Sequence, residues 1–454
     1  MFWACKEAQE FASWPVKQRL AALQRIVPKA KIQEILRSRA THREVCRRCP
    51  SWFMVWFIIG LGLWCKDCYR QIFRWLQPYR KDGTPGRSTL CEARRRLGVG
   101  VLREVALETV QLLGKPDTPG AFYQGRRLMG LDGFVVDLPD TPENEKAFGR
   151  PGSGRAPGAF PQARVLALCE TGSHVFWRWL IKPLCCGEIT MARCLLRLLP
   201  AGVLLLWDRN FLSYDLVHQV CERNADLLAR IKKNLIFKPI QELSDGSYLA
   251  KLYPSPKDRR LDRNGIVVRI IEYTFDDPGR PGTGEKHRLL TTLLDEKQHP
   301  ATTLIELYHE RWEEELAIDE LKTHQRERNV LRSQTPAGVV QELYGLQIGH
   351  YLVRVLMQEA AAAKGLDPQR LSFTNTLKIL RCRLGECPRA DRNLTAWYHQ
   401  LLEEIGEEIL EPRRNRLNPR VIRKKMSSWE KKKPCHRHYP QPQKEFRKGI
   451  VLTR

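Results

Sequence analysis

Residues 304–325 read LIELYHERWEEELAIDELKTHQ, a stretch without a single glycine or proline. A segment this rich in Glu, Leu and Lys predicts one long helix. On such a helix Tyr308, Arg311, Glu315 and Lys322 fall at about 0°, 300°, 340° and 320° around the axis, along a single stripe about 20 Å long. A phenol, a guanidinium, a carboxylate and an ammonium in one line suit a phosphodiester backbone. Cations and a hydroxyl can grip phosphates, and a carboxylate can hold a divalent metal. Taken alone, the stripe is more simply an exposed helix face carrying i,i+3 and i,i+4 charge pairs.

The charge balance of the whole chain points to a polyanionic partner. A net charge of +25 over 454 residues repels itself unless it meets a polyanion, of which nucleic acid is the commonest. The longest apolar run, residues 52–64, is too short to span a bilayer. Lys6, Glu7 and Glu10 interrupt the N-terminus before any apolar core, so no signal peptide is expected. Fourteen cysteines without an export signal imply reduced thiols. Cys46, Cys49, Cys65 and Cys68 have a C-x2-C-x15-C-x2-C spacing within the zinc window. The apolar segment between the pairs nevertheless predicts a buried helix, which would hold them more than about 20 Å apart. They are therefore read as core or surface thiols.

Residues 1–125 read as helical, with apolar spacing over 16–26, 31–37, 52–64 and 69–77. Residues 84–102 predict a turn, a Ser88 N-cap and a helix bearing Arg94, Arg95 and Arg96. That helix could enter a major groove or be a solvated basic helix in a bundle. From residue 126 the texture changes to strands, expected over 127–138, a hairpin of 164–170 and 174–181, a helix over 189–199 and a buried strand over 202–207. Short strand-like runs at 227–231, 247–252, 265–273 and 287–293 form a β-rich insertion. Helices follow to about 410. Residues 412–454 hold fifteen Lys or Arg against two Glu, a net of +13, and read as a flexible basic tail with salt-sensitive grip on DNA. No glycine-rich nucleotide loop is present in the sequence.

If Glu315 holds a metal, other carboxylates must converge on it. Asp208 directly follows the buried run GVLLLW, where an acid is either a helix cap or a ligand. Asp132 sits within the apolar strand RLMGLDGFVVDL, where a carboxylate is costly unless paired or metal-bound. Asp137 is the competing choice, but strand alternation puts it on the opposite face, ordering the PDTPEN loop.

Together these segments resemble the insertion sequence 4 family of cut-and-paste transposases. The spacing Tyr, two residues, Arg, three residues, Glu, six residues, Lys resembles the family's glutamate region. LDGFVVDLPDTPENEKAFG resembles its first-aspartate region, WDRNF its second, and NPRVIRKKM its C-terminal part. The resemblance implies an α/β fold, a ribonuclease H-like mixed-sheet catalytic core with a β-rich insertion, flanked by helical N-terminal and C-terminal regions. The corresponding divisions are a DNA-binding domain over 1–125, a catalytic domain over 126–350 with the insertion at 226–299, a helical region over 351–411 and a tail over 412–454.

The resemblance further implies that Asp132, Asp208 and Glu315 bind two Mg²⁺ or Mn²⁺ ions, and that Tyr308, Arg311 and Lys322 hold transposon-end DNA. His287 stands where a relative stacks a Trp on a flipped base. Phe134 replaces a common Thr or Ser, and Asn210 a usual Gly. The implied activity is excision and integration by phosphodiester hydrolysis and transesterification. The implied partners are double-stranded transposon-end and target DNA and a second copy in a synaptic homodimer, with no membrane and no nucleotide cofactor. The implied setting is a prokaryotic cytoplasm, beside the nucleoid. Two other readings remain: a sequence-specific DNA-binding protein or decayed element without catalysis, and a ribonuclease H-like nuclease that recognises DNA shape.

Overall fold

The helix Pro336–Lys364 is fixed at both ends by its sequence. Thr335 accepts a hydrogen bond from the amide of Gly338, Pro336 occupies the first turn, and Gly365 closes the helix at φ 64°. The computed structural model that shows this describes residues 22–39, 49–76, 83–153, 156–232, 234–280, 282–387, 393–412, 421–422, 430–438 and 441–453. The chain forms two compact units, one of Met1–Leu195 with Glu313–Leu410, the other of Leu196–Trp312 with Glu411–Arg454.

In the first unit Pro336–Lys364 is buried along most of its length. It packs on Ser51–Leu63, a helix whose residues from Phe53 to Leu63 are all buried, as an all-round apolar sequence requires. The two backbones meet at glycines. A Cβ on Gly62 would strike the Gly345 carbonyl, and one on Gly345 would strike the Ile58 carbonyl. The helix Arg87–Thr109 packs against both and is kinked at Gly98, whose φ of 71° excludes other residues cheaply. Numbering strands of three or more residues in chain order, β1 (Arg126–Asp137), β2 (Gln162–Glu170) and β3 (Val175–Pro183) form an antiparallel meander.

In the second unit β4 (Val203–Trp207), wholly buried, pairs in parallel with β5 (Asp226–Arg230) across the helix Tyr214–Glu222. The insertion supplies β6 (Tyr248–Leu252), β7 (Ile266–Phe275) and β8 (His287–Thr291), all antiparallel, with β8 also pairing β5. The mixed α/β class expected of a ribonuclease H-like core with a β-rich insertion is the class observed.

Three expectations change. Residues 304–325 are not one helix. Ala301–His309 ends in tight i→i+3 bonds from the amides of Glu310 and Arg311, Trp312–Asp319 resumes, and Glu320–Gln325 forms a π-helical turn. Angles computed for a continuous helix therefore do not carry from Tyr308 to Lys322. The C-terminal segment is not a free tail throughout. β9 (Ile450–Leu452) pairs with Tyr273–Phe275 of β7, and the Asp277 carboxylate accepts from the amides of Gln443 (2.9 Å) and Lys444 (3.4 Å). An apolar run beside an open strand edge suffices to dock it. Ser88 lies inside the first turn rather than capping it, since Gly86 holds the N-cap position. Residues 16–21, Cys46, Trp429 and most of NPRVIRKKM lie outside the described residues.

Candidate functional site

Strand alternation places Gly130, Asp132 and Phe134 on one face of β1. Gly130 has no side chain because the buried carboxylate of Glu314 fills that space. Two strand positions beyond Asp132, the Lys322 ammonium lies 5.9 Å from the centroid of the Phe134 ring. The two contacts, about 13 Å apart along the strand and about 12 Å apart along the helix, run the segment bearing Glu315 along the Asp132 face. The segment that bears Glu315 thus runs beside Asp132, and both carboxylates are half-exposed. The Asp132 Oδ1 also accepts from the amide of Gly133 at 2.7 Å. Asp137, on the other face, accepts from the side chain of Gln162 at 2.7 Å and is bridged to Val330, an ordering role.

Phe134 packs with Phe176 and Trp179, which explains an aromatic at that position. Burial, with Arg326 adding to it, lowers the affinity of Lys322 for its proton.

Asp208 belongs to the second unit. It occupies the N-cap position of the short turn Arg209–Phe211, but its side chain makes no capping bond, so the cap reading gains no support. Asn210 lies in that turn without the positive φ that a Gly would serve. Tyr308 is buried, 8% exposed, and its hydroxyl donates to the carbonyl of Trp207 at 3.3 Å. Burial pushes this phenol up to about 12. Its geometry ties the helix Ala301–His309 to the end of β4, beside Asp208. The Arg311 guanidinium carbon lies 6.0 Å from the centroid of the Tyr308 ring and 5.8 Å from that of Trp312.

His287 stacks on Tyr273, with centroids 5.2 Å apart and an interplanar angle of 29°, while its Nδ1 meets the Arg230 guanidinium at 3.3 Å. Beside it, His309 falls to about 4. Burial is the main cause, and Arg280, His287, Arg311 and Arg230 all push the same way. The spacing gave no hint of Arg230, whose place beside His287 follows from the pairing of β8 with β5. Trp312, 44% exposed, is an aromatic face that a search for acids also passes over.

Of the N-terminal arginines, Arg94 is 5% exposed. Its guanidinium donates to Gln341 and Ser333, both at 2.9 Å, and to Tyr69 and the Gly338 carbonyl. Its donors are spent on joining helices, so it is corrected from a groove contact to an internal brace, while Arg95 is exposed. The Cys65 thiol donates to the Leu61 (3.4 Å) and Gly62 (3.3 Å) carbonyls, and burial pushes it up to about 12.

Among the described residues no three His, Cys, Asp or Glu side chains already stand as a metal cage. The donor chemistry fits a hard divalent cation all the same: carboxylates that remain half-exposed on rigid elements. Among the described residues no helix is long and apolar enough to cross a membrane.

Residues 123–352 match the family described as transposase DDE domain, and residues 17–106 that described as insertion element 4 transposase N-terminal. The chain is 30% identical over 389 residues to the transposase InsG for insertion sequence element IS4 of Escherichia coli, across 84% of this chain and 86% of the relative. It is 27% identical over 255 residues to a putative transposase, InsZ, of the same organism, across 54% of this chain and 81% of that one. Among solved structures it is similar to the piggyBac transposase in a synaptic complex with hairpin DNA, with a TM-score of 0.45 and 11% identity, across 87% of this chain and 86% of that chain.

Proposed function

The chain belongs to the insertion sequence 4 family of DDE transposases, and from that membership we propose that Asp132, Asp208 and Glu315 are the three acids of its catalytic centre. A DDE domain implies dependence on divalent cations. Here the three carboxylates would hold two Mg²⁺ ions, which supply charge neutralisation at the attacking and leaving oxygens. The observation that carries this reading is the bracketing of Asp132 by Glu314 at Gly130 and Lys322 at Phe134, which sets the Glu315 segment along the Asp132 face.

The protein's own groups do the rest. Lys322 and Arg311 bind phosphates of the transposon end. Tyr308 acts on the centre from behind, holding the Trp207 carbonyl next to Asp208. The cations around His287 and His309 supply positive charge for the strand, and Trp312 offers a stacking face for a base. Arg95 and the other exposed arginines of Arg87–Thr109 contribute contact to flanking DNA. Cleavage nicks the end with water, and the released 3′-hydroxyl then serves as nucleophile against the opposite strand and the target. We place these steps in a synaptic homodimer in the cytoplasm, on the nucleoid. The divisions at 1–125, 126–350, 351–411 and 412–454 are proposed as the functional segments.

The test is Mg²⁺-dependent nicking of a plasmid carrying the DNA that flanks the coding region. Glu315→Gln is expected to bind that DNA as the wild type does and to cut it roughly a thousandfold more slowly or worse. Equal cutting by the variant would remove Glu315 from the centre.

A further inference from the structure

The segment that carries Glu315 reaches Lys322 through the wide turn Glu320–Gln325. Turns of this kind are rare within helices and form where side chains at both ends outweigh the loss of regular geometry. Both ends are pinned here. Glu320, 5% exposed, accepts from Arg354 Nε at 3.0 Å and meets His174 Nδ1 at 3.1 Å and His350 Nε2 at 3.2 Å. Gln325, fully buried, donates from Nε2 to the carbonyls of Gly62 (3.1 Å) and Leu346 (3.0 Å). Side chains five positions apart diverge by about 140° on an α-helix, so a regular turn could not send both into the same interior. A turn built on i→i+5 bonds can.

Lys322 sits between these two anchors, beside Phe134 on the Asp132 face. A four-carbon stem carrying a hydrated ammonium otherwise spends conformational entropy on being ordered.

We propose that Glu320 and Gln325 are positioning residues of the transposase centre: by pinning the wide turn they hold Lys322 in advance where a DNA phosphate will lie. Neither touches DNA or a reacting atom. The inference rests on Lys322 being a DNA contact, as read above.

The test is a double-mutant cycle on the full-length protein. Binding is measured to a duplex taken from the DNA flanking the coding region, against a scrambled duplex, over a series of salt concentrations. Lys322→Ala is expected to weaken binding about tenfold and to flatten the dependence of log K on log salt by about one. Glu320→Gln removes a buried negative charge, which by long-range electrostatics alone would tighten DNA binding. It is expected instead to weaken binding about threefold to tenfold and to flatten the salt dependence as Lys322→Ala does. Gln325→Met, which keeps bulk and loses the donors, is expected to do the same and stands in should Glu320→Gln fail to fold. Either change should cost nothing more once Lys322 is Ala. Additive losses, or an unchanged salt dependence in folded variants, would overturn the positioning role. A Lys322→Ala variant that binds normally would overturn the reading of Lys322 itself, and the inference with it.

Discussion

In the first unit the imidazole of His174 lies 2.9 Å from Glu313 and 3.1 Å from Glu320, and Arg354 and His350 complete the cluster. In the second unit the groups acting most strongly on the imidazole of His309, after burial, are Arg280, His287, Arg311 and Arg230. The first cluster is mixed in sign. Burial opposes the ionised form of Glu320, but Arg354 and His174 outweigh it and hold the acid well below the usual carboxylate range. Burial and Arg354 likewise press His174 down, yet Glu320 and Glu313 leave it above its ordinary value. In the second cluster the charges that act most strongly on the histidine are all cationic, Arg280 being also paired to Asp277 at 3.3 Å, and the histidine is driven neutral. A buried network that satisfies itself specifies a structure. One that gathers cations around a neutral histidine offers positive charge to an anion brought from outside.

The largest test of this contrast is Arg354→Met. It leaves the Glu320 charge buried without its main cation, and is expected to cost roughly 3–5 kcal/mol in urea unfolding. A loss under about 1 kcal/mol would mean that the first cluster is not the compensated network described.

Acid comes next. The folded-state pKa of His309 is depressed, so the unfolded chain takes up a proton there that the native protein refuses. The stability associated with this residue is present above about pH 6.5 and is lost as the pH falls towards about 4. Between pH 7 and pH 5 the wild type should lose about 2 kcal/mol more than His309→Gln. Parallel stability curves for the two proteins would show that His309 is not held neutral.

The smallest effect expected is that of Arg230→Met. Melting should be nearly unchanged, while binding to the flanking DNA weakens about threefold to tenfold, with a salt dependence shallower by about one. Destabilisation without any change in binding would make the second cluster structural, like the first.

Elements with a strong local signal were legible in the sequence. The run GVLLLW is a buried strand, RLMGLDGFVVDL is β1, and Pro50 and the apolar run after it mark a buried helix. Asp132 stood out because a carboxylate inside an apolar strand needs a reason. What periodicity could not supply was long-range. Arg94 looks like any basic helix residue until Gln341 and Ser333, more than two hundred positions away, take up its donors. The break at Glu310–Arg311 and the π-helical turn likewise answer to distant groups. Tyr308 is drawn to Trp207, and Glu320 to His174 and Arg354, against a local preference for uninterrupted helix. The apolar run near the C-terminus was masked by the lysines and arginines around it.

The docking of Ile450–Leu452 has a consequence for shortened forms of the protein. The strand covers the hydrogen-bonding edge of β7 at Tyr273–Phe275, and the two amides that follow Pro442 occupy the Asp277 carboxylate. A chain ending before Gln443 would bare that edge as an open hem onto which the backbone of a neighbouring molecule can zip. A premature stop codon late in the reading frame would then yield a sticky protein that recruits its neighbours into aggregates, as well as a shorter one.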